Sequence, residues 1–156
     1  MTTEYLRGLE PCRTTMSRKR NLTTMFSTQF ASARYLNLTT FRRDGRAVST
    51  PVWFAIEGNH LVVWTAARSG KAKRLRHIDR VTIAPCDIRG RVDGPTVQAT
   101  ARLLPASDGQ RIERLLDQRY GLAKRLYGAA TGIWRLLIQR RPPGLSAYIE
   151  IAAREA

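Results

Sequence analysis

The sequence predicts a mainly β fold, a small barrel with helices attached, and three observations carry that prediction. Strand-like runs rich in Val, Ile, Thr and aromatic residues are punctuated by the turn signals Asp44-Gly45 and Glu57-Gly58-Asn59. Between Thr96 and Leu103 the alternation is strict, with Val97, Ala99, Ala101 and Leu103 set against Thr96, Gln98, Thr100 and Arg102. From about residue 107 the apolar spacing changes to three and four. It holds until Pro142-Pro143, after which "LSAYIEIAA" closes the chain as a last strand.

In chain order, residues 1–24 lack periodicity and carry the basic run "SRKR", which predicts a flexible extension before a folded domain over 25–156. "RYLNLTTF" places Tyr35, Leu36, Leu38 and Phe41 among threonines, a composition suited to a half-buried strand. Asp44-Gly45 predicts a two-residue hairpin with positive φ at both positions. "AVSTPVWFAIE" then returns and "HLVVWTAA" follows, three consecutive strands that read as the start of a meander. "SGKAKRLRHID" is a short helix with Ser69 or Gly70 at its N-cap, Leu75 and Ile78 inward and its cations outward. "RVTIAPCDIRGRV" and "PTVQATARLLP" are strands. A helical hairpin over about 107–141 presents Ile112, Leu115, Leu116, Leu122, Leu126, Tyr127, Ala130, Ile133, Trp134 and Leu137 on its apolar face. The total is six or seven strands, which suits a small barrel.

A chain of 156 residues is one domain's worth and long enough to close a core without staples. Its 27 Lys and Arg outnumber 12 Asp and Glu, a net charge of +15 that calls for an acidic partner. Cys12 and Cys86 follow no metal-ligand spacing, no signal-like segment is present, and no run approaches the ~18 apolar residues of a membrane span. A reduced, cytoplasmic, soluble protein is expected. Hydrolase chemistry finds no support, because His60 and His77 form no metal or triad pattern. Asp44, Glu57, Asp79 and Asp87 fall at turns and element ends, where capping explains them. Neither a P-loop nor a GxGxxG stretch occurs.

What remains is "WTAARSGKAKRLRH", residues 64–77, with five cations and no carboxylate. A strand ends at Thr65, a loop offers Arg68, Ser69 and Gly70, and a helix begins with Lys71. Backbone N–H groups, a hydroxyl and two full charges could meet there on a phosphate. A solvated basic helix explains the same residues equally well.

The span "YLNLTTFRRDGRAVSTPVWFAIEGNHLVVWTAARSGKAKRLRHIDRVTIAPCDIRGRV" resembles the pyridoxamine-phosphate-oxidase-like split β-barrel superfamily. Within it, the chain resembles the B-type actinobacterial deazaflavin-dependent oxidoreductases that use coenzyme F-420. "TPVWF", "SGKAKRLR" and "VTIAPCDIRGRV" carry the likeness, which covers roughly residues 28–152. The resemblance implies a split β-barrel homodimer with its cofactor in a groove at the interface. It implies that Arg68, Ser69, Gly70, Lys71 and Arg74, with Thr65 beside them, grip a phosphate. It also implies that Ser49, Thr50, Pro51 and Val52 run beside the ring system and that Trp53 forms an apolar wall. The activity implied is hydride transfer between the deazaflavin and an unsaturated small-molecule substrate. The acidic tail of the cofactor suits a +15 protein.

Three alternatives stay open. FMN would use the same turn. Haem would need an axial ligand, which two histidines make hard to supply. The basic amphipathic segment 121–141 could lie on an anionic membrane, although packing on the barrel or across a dimer is favoured. No nucleic-acid-reading motif is present, so no nucleic-acid partner is expected.

Overall fold

The computed structural model describes residues 29–131 and 145–154, with side chains over 29–121 and 145–154. The strands are β1 (Tyr35–Phe41), β2 (Ala47–Val52), β3 (Phe54–Glu57), β4 (His60–Ala66), β5 (Arg80–Cys86), β6 (Val97–Leu104) and β7 (Ser146–Ala153). Helix α1 (Gly70–Leu75) follows β4, and α2 (Gly109–Thr131) follows a single 3-10 turn, Ala106–Asp108. All seven strands form one antiparallel sheet in the order β2-β1-β5-β6-β7-β4-β3. The two edge strands of that ladder are halves of one segment, joined by Trp53 alone. A sheet whose edges are one residue apart has to curl until they meet, which makes it a barrel.

The expected meander is therefore corrected. "AVSTPVWFAIE" is not one strand between its neighbours but two, bent at Trp53, with β2 on β1 and β3 on β4. The first hairpin differs too. Gly45 has φ of 83° while no described non-glycine residue has positive φ, so Asp44 does not. Gly45 N–H donates to Arg42 O at 2.9 Å and Arg42 N–H to Arg46 O at 2.8 Å, enclosing a three-residue loop with glycine in the left-handed position. Asp44 Oδ1 instead accepts from Arg46 N–H at 3.0 Å. One left-handed residue is enough once the loop has three members.

The barrel interior takes one face of each strand. Leu36 and Leu38, Leu61 and Val63, Val81 and Ile83, Ala99 and Ala101, and Ile149 and Ile151 meet there with Phe30 and Phe54. Buried Ala72 and Leu75 bring α1 against β1 and β6. Outside the wall, α2 covers β3, β4 and β7 with Ile112, Leu116 and Tyr120, which pack on Ala55, Val62 and Tyr148. The period-two reading of β6 and the period-3.6 reading of the early part of α2 both hold. The described helix runs unbroken to Thr131, and the second arm of the expected hairpin lies outside the described residues.

Gly109 opens α2 because Tyr148 leaves room for nothing larger. A Cβ there would stand 2.7 Å from Tyr148 Cε2 and Oη. Tyr148 is buried, and its hydroxyl donates to Glu113 Oε1 at 2.8 Å, so the ring cannot swing aside cheaply. Helix propensity favours Gly109→Ala by about 1 kcal/mol, but overpacking costs about 1–3 kcal/mol. The expected net result is a lower urea midpoint; a raised midpoint would show that the Tyr148 ring yields.

Candidate anion cradle at the barrel split

The inward faces of β1 and β4 end alike. Leu36 and Leu38 are followed by Thr40, and Leu61 and Val63 by Thr65, at 1% and 5% exposure. These threonines put hydroxyls where the aliphatic lining stops, and each receives a cation from α1. Arg74 Nε donates to Thr40 Oγ1 at 2.7 Å, and Lys71 Nζ to Thr65 Oγ1 at 3.4 Å. Two cations expected to face outward thus turn toward the mouth of the barrel, because buried hydroxyls need partners. Lys73 and Arg76 are exposed.

Ser69 is the N-cap of α1. Its Oγ accepts from Ala72 N–H at 3.3 Å and from Thr65 Oγ1 at 3.1 Å, which leaves its own proton for a third partner. Gly70 lies under Arg74, whose Nη1 would be 2.8 Å from a Cβ at that position. Thr65, Ser69, Gly70, Lys71 and Arg74 thus lie together, while Arg68 is exposed on the loop. A six-residue helix has little macrodipole to offer, so side-chain charge rather than the helix end dominates.

The electrostatics are one-sided. Burial, and then the neighbouring Arg74, hold the Lys71 ammonium below the usual lysine range. Burial, and then Arg42, lower Arg74 in the same way. Among the described residues no carboxylate contributes to either shift. Like charges this close raise the energy of the empty protein and lower it when an anion arrives.

The cleft beside this cradle follows from the register. Phe54 pairs with Val63, and continuing backwards would set Val52 opposite Thr65 and Pro51 opposite Ala66, yet the β3–β4 ladder stops at Phe54. Val52 and Pro51 pair instead with Leu36 and Asn37 of β1, and Thr65 and Ala66 with Ala147 and Ser146 of β7. The barrel is split along that line, with the β2 edge on one bank and the cradle on the other. Ser49 is exposed on β2, its Oγ 2.7 Å from Thr39 Oγ1. Thr50 is half-buried and Pro51 exposed, whereas the Val52 side chain points into the barrel core. Trp53 stacks on Tyr120 of α2 at 5.3 Å and 13°, so its ring is pinned where the edges meet.

Sequence reading missed Thr40 and Tyr120. The signal for Thr40 was present, since both strands exchange an aliphatic for a threonine at their last inward position. Tyr120 carries a helix-to-barrel link, with its hydroxyl donating to Arg34 O at 2.8 Å and accepting from Phe54 N–H at 3.4 Å. The capping role expected of the carboxylates is met at Asp87, whose Oδ1 accepts from Arg89 and Arg91 N–H, and Glu57 pairs with Arg111. Cys86 is buried, and burial followed by Asp93 and Asp87 pushes its thiol up to about 11, which makes it inert. Among the described residues, no group of acids, histidines and cysteines could hold a metal ion, and no helix is long and apolar enough to cross a membrane. Most of segment 121–141 lies outside the described side chains.

The family model for pyridoxamine 5′-phosphate oxidase matches residues 22–156. The chain belongs to that family. Its fold is accordingly the split barrel, and solved structures agree at low identity. A conserved hypothetical protein of Mycobacterium tuberculosis superposes with a TM-score of 0.59 at 20% identity, covering 85% of this chain and 80% of that one. An F-420 reductase gives 0.54 at 15%, covering 83% and 94%. The haem storage protein of Vibrio cholerae gives 0.53 at 15%, covering 86% and 92%. None of the curated protein sequences matches. The same fold is thus found in a protein named for reduction and in one named for haem storage.

Proposed function

We propose that this protein is an oxidoreductase that binds coenzyme F-420 at the barrel split and reduces an unsaturated small molecule. The observation that carries this reading is the cation run Lys71–Arg74–Arg42, uncompensated among the described residues, beside the hydroxyls of Thr65 and Ser69. A phosphodiester satisfies all of it, since Lys71 and Arg74 supply charge and Ser69 supplies a directed proton. The neighbour named F-420 reductase points the same way.

When bound, the deazaflavin would supply a hydride for an electron-poor double bond. The chain's own part is to hold and orient the cofactor. Lys71, Ser69 and Arg74 fix one end at the cradle. The β2 edge from Ser49 to Val52, unpaired on its outer side among the described residues, offers backbone groups along the ring. Trp53, held by Tyr120, keeps that edge in place. A homodimer with the second copy closing the cleft belongs to this reading.

FMN is the second reading, favoured by the family itself, because its phosphate meets the same cradle. The excess of 27 basic over 12 acidic residues favours the more acidic ligand. Parallel fluorescence titrations with F-420 and FMN at moderate salt separate the two. The expected result is tighter binding of F-420. Tighter binding of FMN would make this a flavoprotein, and binding of neither would remove the cradle as a cofactor site.

A further inference from the structure

A second basic hollow of about 190 Å³ lies between α1 and the end of β1. Arg42, Arg43, Lys73 and Arg74 line it together with His77, over the apolar surface of Phe41 and Ile78. Among the described residues no carboxylate is among its walls. Asp44, the acid at the tip of the adjoining hairpin, is taken by Arg46, with Nε and Oδ2 2.8 Å apart.

The contact between Arg43 and His77 is informative. Arg43 Nη2 stands 3.0 Å from His77 Nε2 and 3.3 Å from Nδ1. A guanidinium can only donate, and a nitrogen this near to both ring nitrogens rests against the imidazole rather than on a carboxylate. Arg80 adds a further cation nearby, its Cζ 4.7 Å from the centroid of the Phe41 ring. Four cations stand around a hollow whose floor is apolar, and the positive charge gathered at its rim favours an anion there.

We propose that this hollow is an oxyanion site, taking a phosphate or carboxylate group of a small molecule between Arg43 and Lys73. It is distinct from the cradle, because Arg74 stands between them with Nε on Thr40 and Nη1 over Gly70. Binding there displaces the Arg43 guanidinium from the His77 ring, or bridges the two. The hollow shares Arg42 and Arg74 with the cradle, but Arg43, Lys73 and His77 are no part of the cradle, so its test is independent of the cofactor reading.

The chain has two histidines, so ring resonances of His77 can be followed with His60 as an internal control. The full-length protein is titrated at fixed pH and constant ionic strength with inorganic phosphate and, separately, with citrate, so that screening alone changes nothing. The expected result is a saturable shift of His77 with His60 unmoved, abolished in the Arg43→Gln/Lys73→Gln double variant and retained in Lys71→Met. A response to phosphate alone assigns a phosphate ligand, and a response to citrate alone a carboxylate. No saturable shift of His77, equal movement of both rings, or a response that survives the double substitution would overturn the site. Loss of the response in Lys71→Met would overturn its separateness from the cradle.

Discussion

Replacing Lys71 with methionine is expected to lower cofactor affinity about 10- to 100-fold, in line with roughly 1.5–3 kcal/mol for a hydrogen bond to a charged group, while leaving the barrel at least as stable. The two effects have opposite signs because the same charge is costly when the cradle is empty and useful when it is filled. Burial and Arg74 depress the Lys71 pKa, so the folded chain binds fewer protons than the unfolded chain between the lowered value and 10.5. Stability therefore rises with pH across that window, and methionine removes the slope. Cofactor affinity runs the other way, falling as pH climbs through the lowered Lys71 value and the ammonium is lost. Urea unfolding and a binding titration on the same two proteins check both halves. An affinity change below about threefold (~0.7 kcal/mol) would mean that Arg74 and Ser69 hold the anion without Lys71.

The second large effect lies at Arg119, which ties α2 to the start of the barrel. Its Nη2 donates to Phe30 O and Ala31 O at 3.1 Å and to Ala33 O at 2.8 Å, carbonyls of the helical turn before β1 and of the link that follows it. Its guanidinium also lies 4.6 Å from the centroid of the Phe54 ring, a ring fully buried in the barrel core. Charged hydrogen bonds contribute roughly 1.5–3 kcal/mol each and a cation on an aromatic face about 0.5–2 kcal/mol. Because one nitrogen shares three acceptors and the side chain is half-exposed, the terms do not add in full. Arg119→Leu is expected to lose about 3–5 kcal/mol, read as a drop in the urea midpoint. Arg119→Lys should fall between, since an ammonium keeps the charge but cannot lie flat on Phe54. A loss under about 0.5 kcal/mol, the size of an ordinary surface change, would show that the turn is held by other contacts.

The residues legible beforehand share a physical trait: their roles depend on neighbours close in sequence. Alternation in β6 and the three-four spacing early in α2 report which face is buried, and the structure keeps both. Ser69 caps α1 because a hydroxyl three residues before Ala72 can reach its N–H whatever the rest of the chain does. The charge imbalance of residues 64–77 likewise needs no fold to be seen.

Other features required chain segments that meet only after folding. Trp53 looks like the middle of one strand, yet the barrel bends there because its two edges must close. Lys71 and Arg74 look like solvent cations on a helix, yet Thr65 and Thr40 draw them inward from strands six and 34 residues away. Arg119 and Tyr120 look like an ordinary polar and aromatic pair, yet they reach back 86 residues or more to Arg34, Ala33 and Phe30. The sequence by itself determined a basic, mainly β chain with a phosphate-suited turn, because pattern and charge are local quantities. Only the tertiary structure decided that the barrel splits between β2 and β4, which cations face the split, and that a second basic hollow stands beside it. Those depend on strand register and on buried hydroxyls seeking partners, and neither is written in any one stretch of residues.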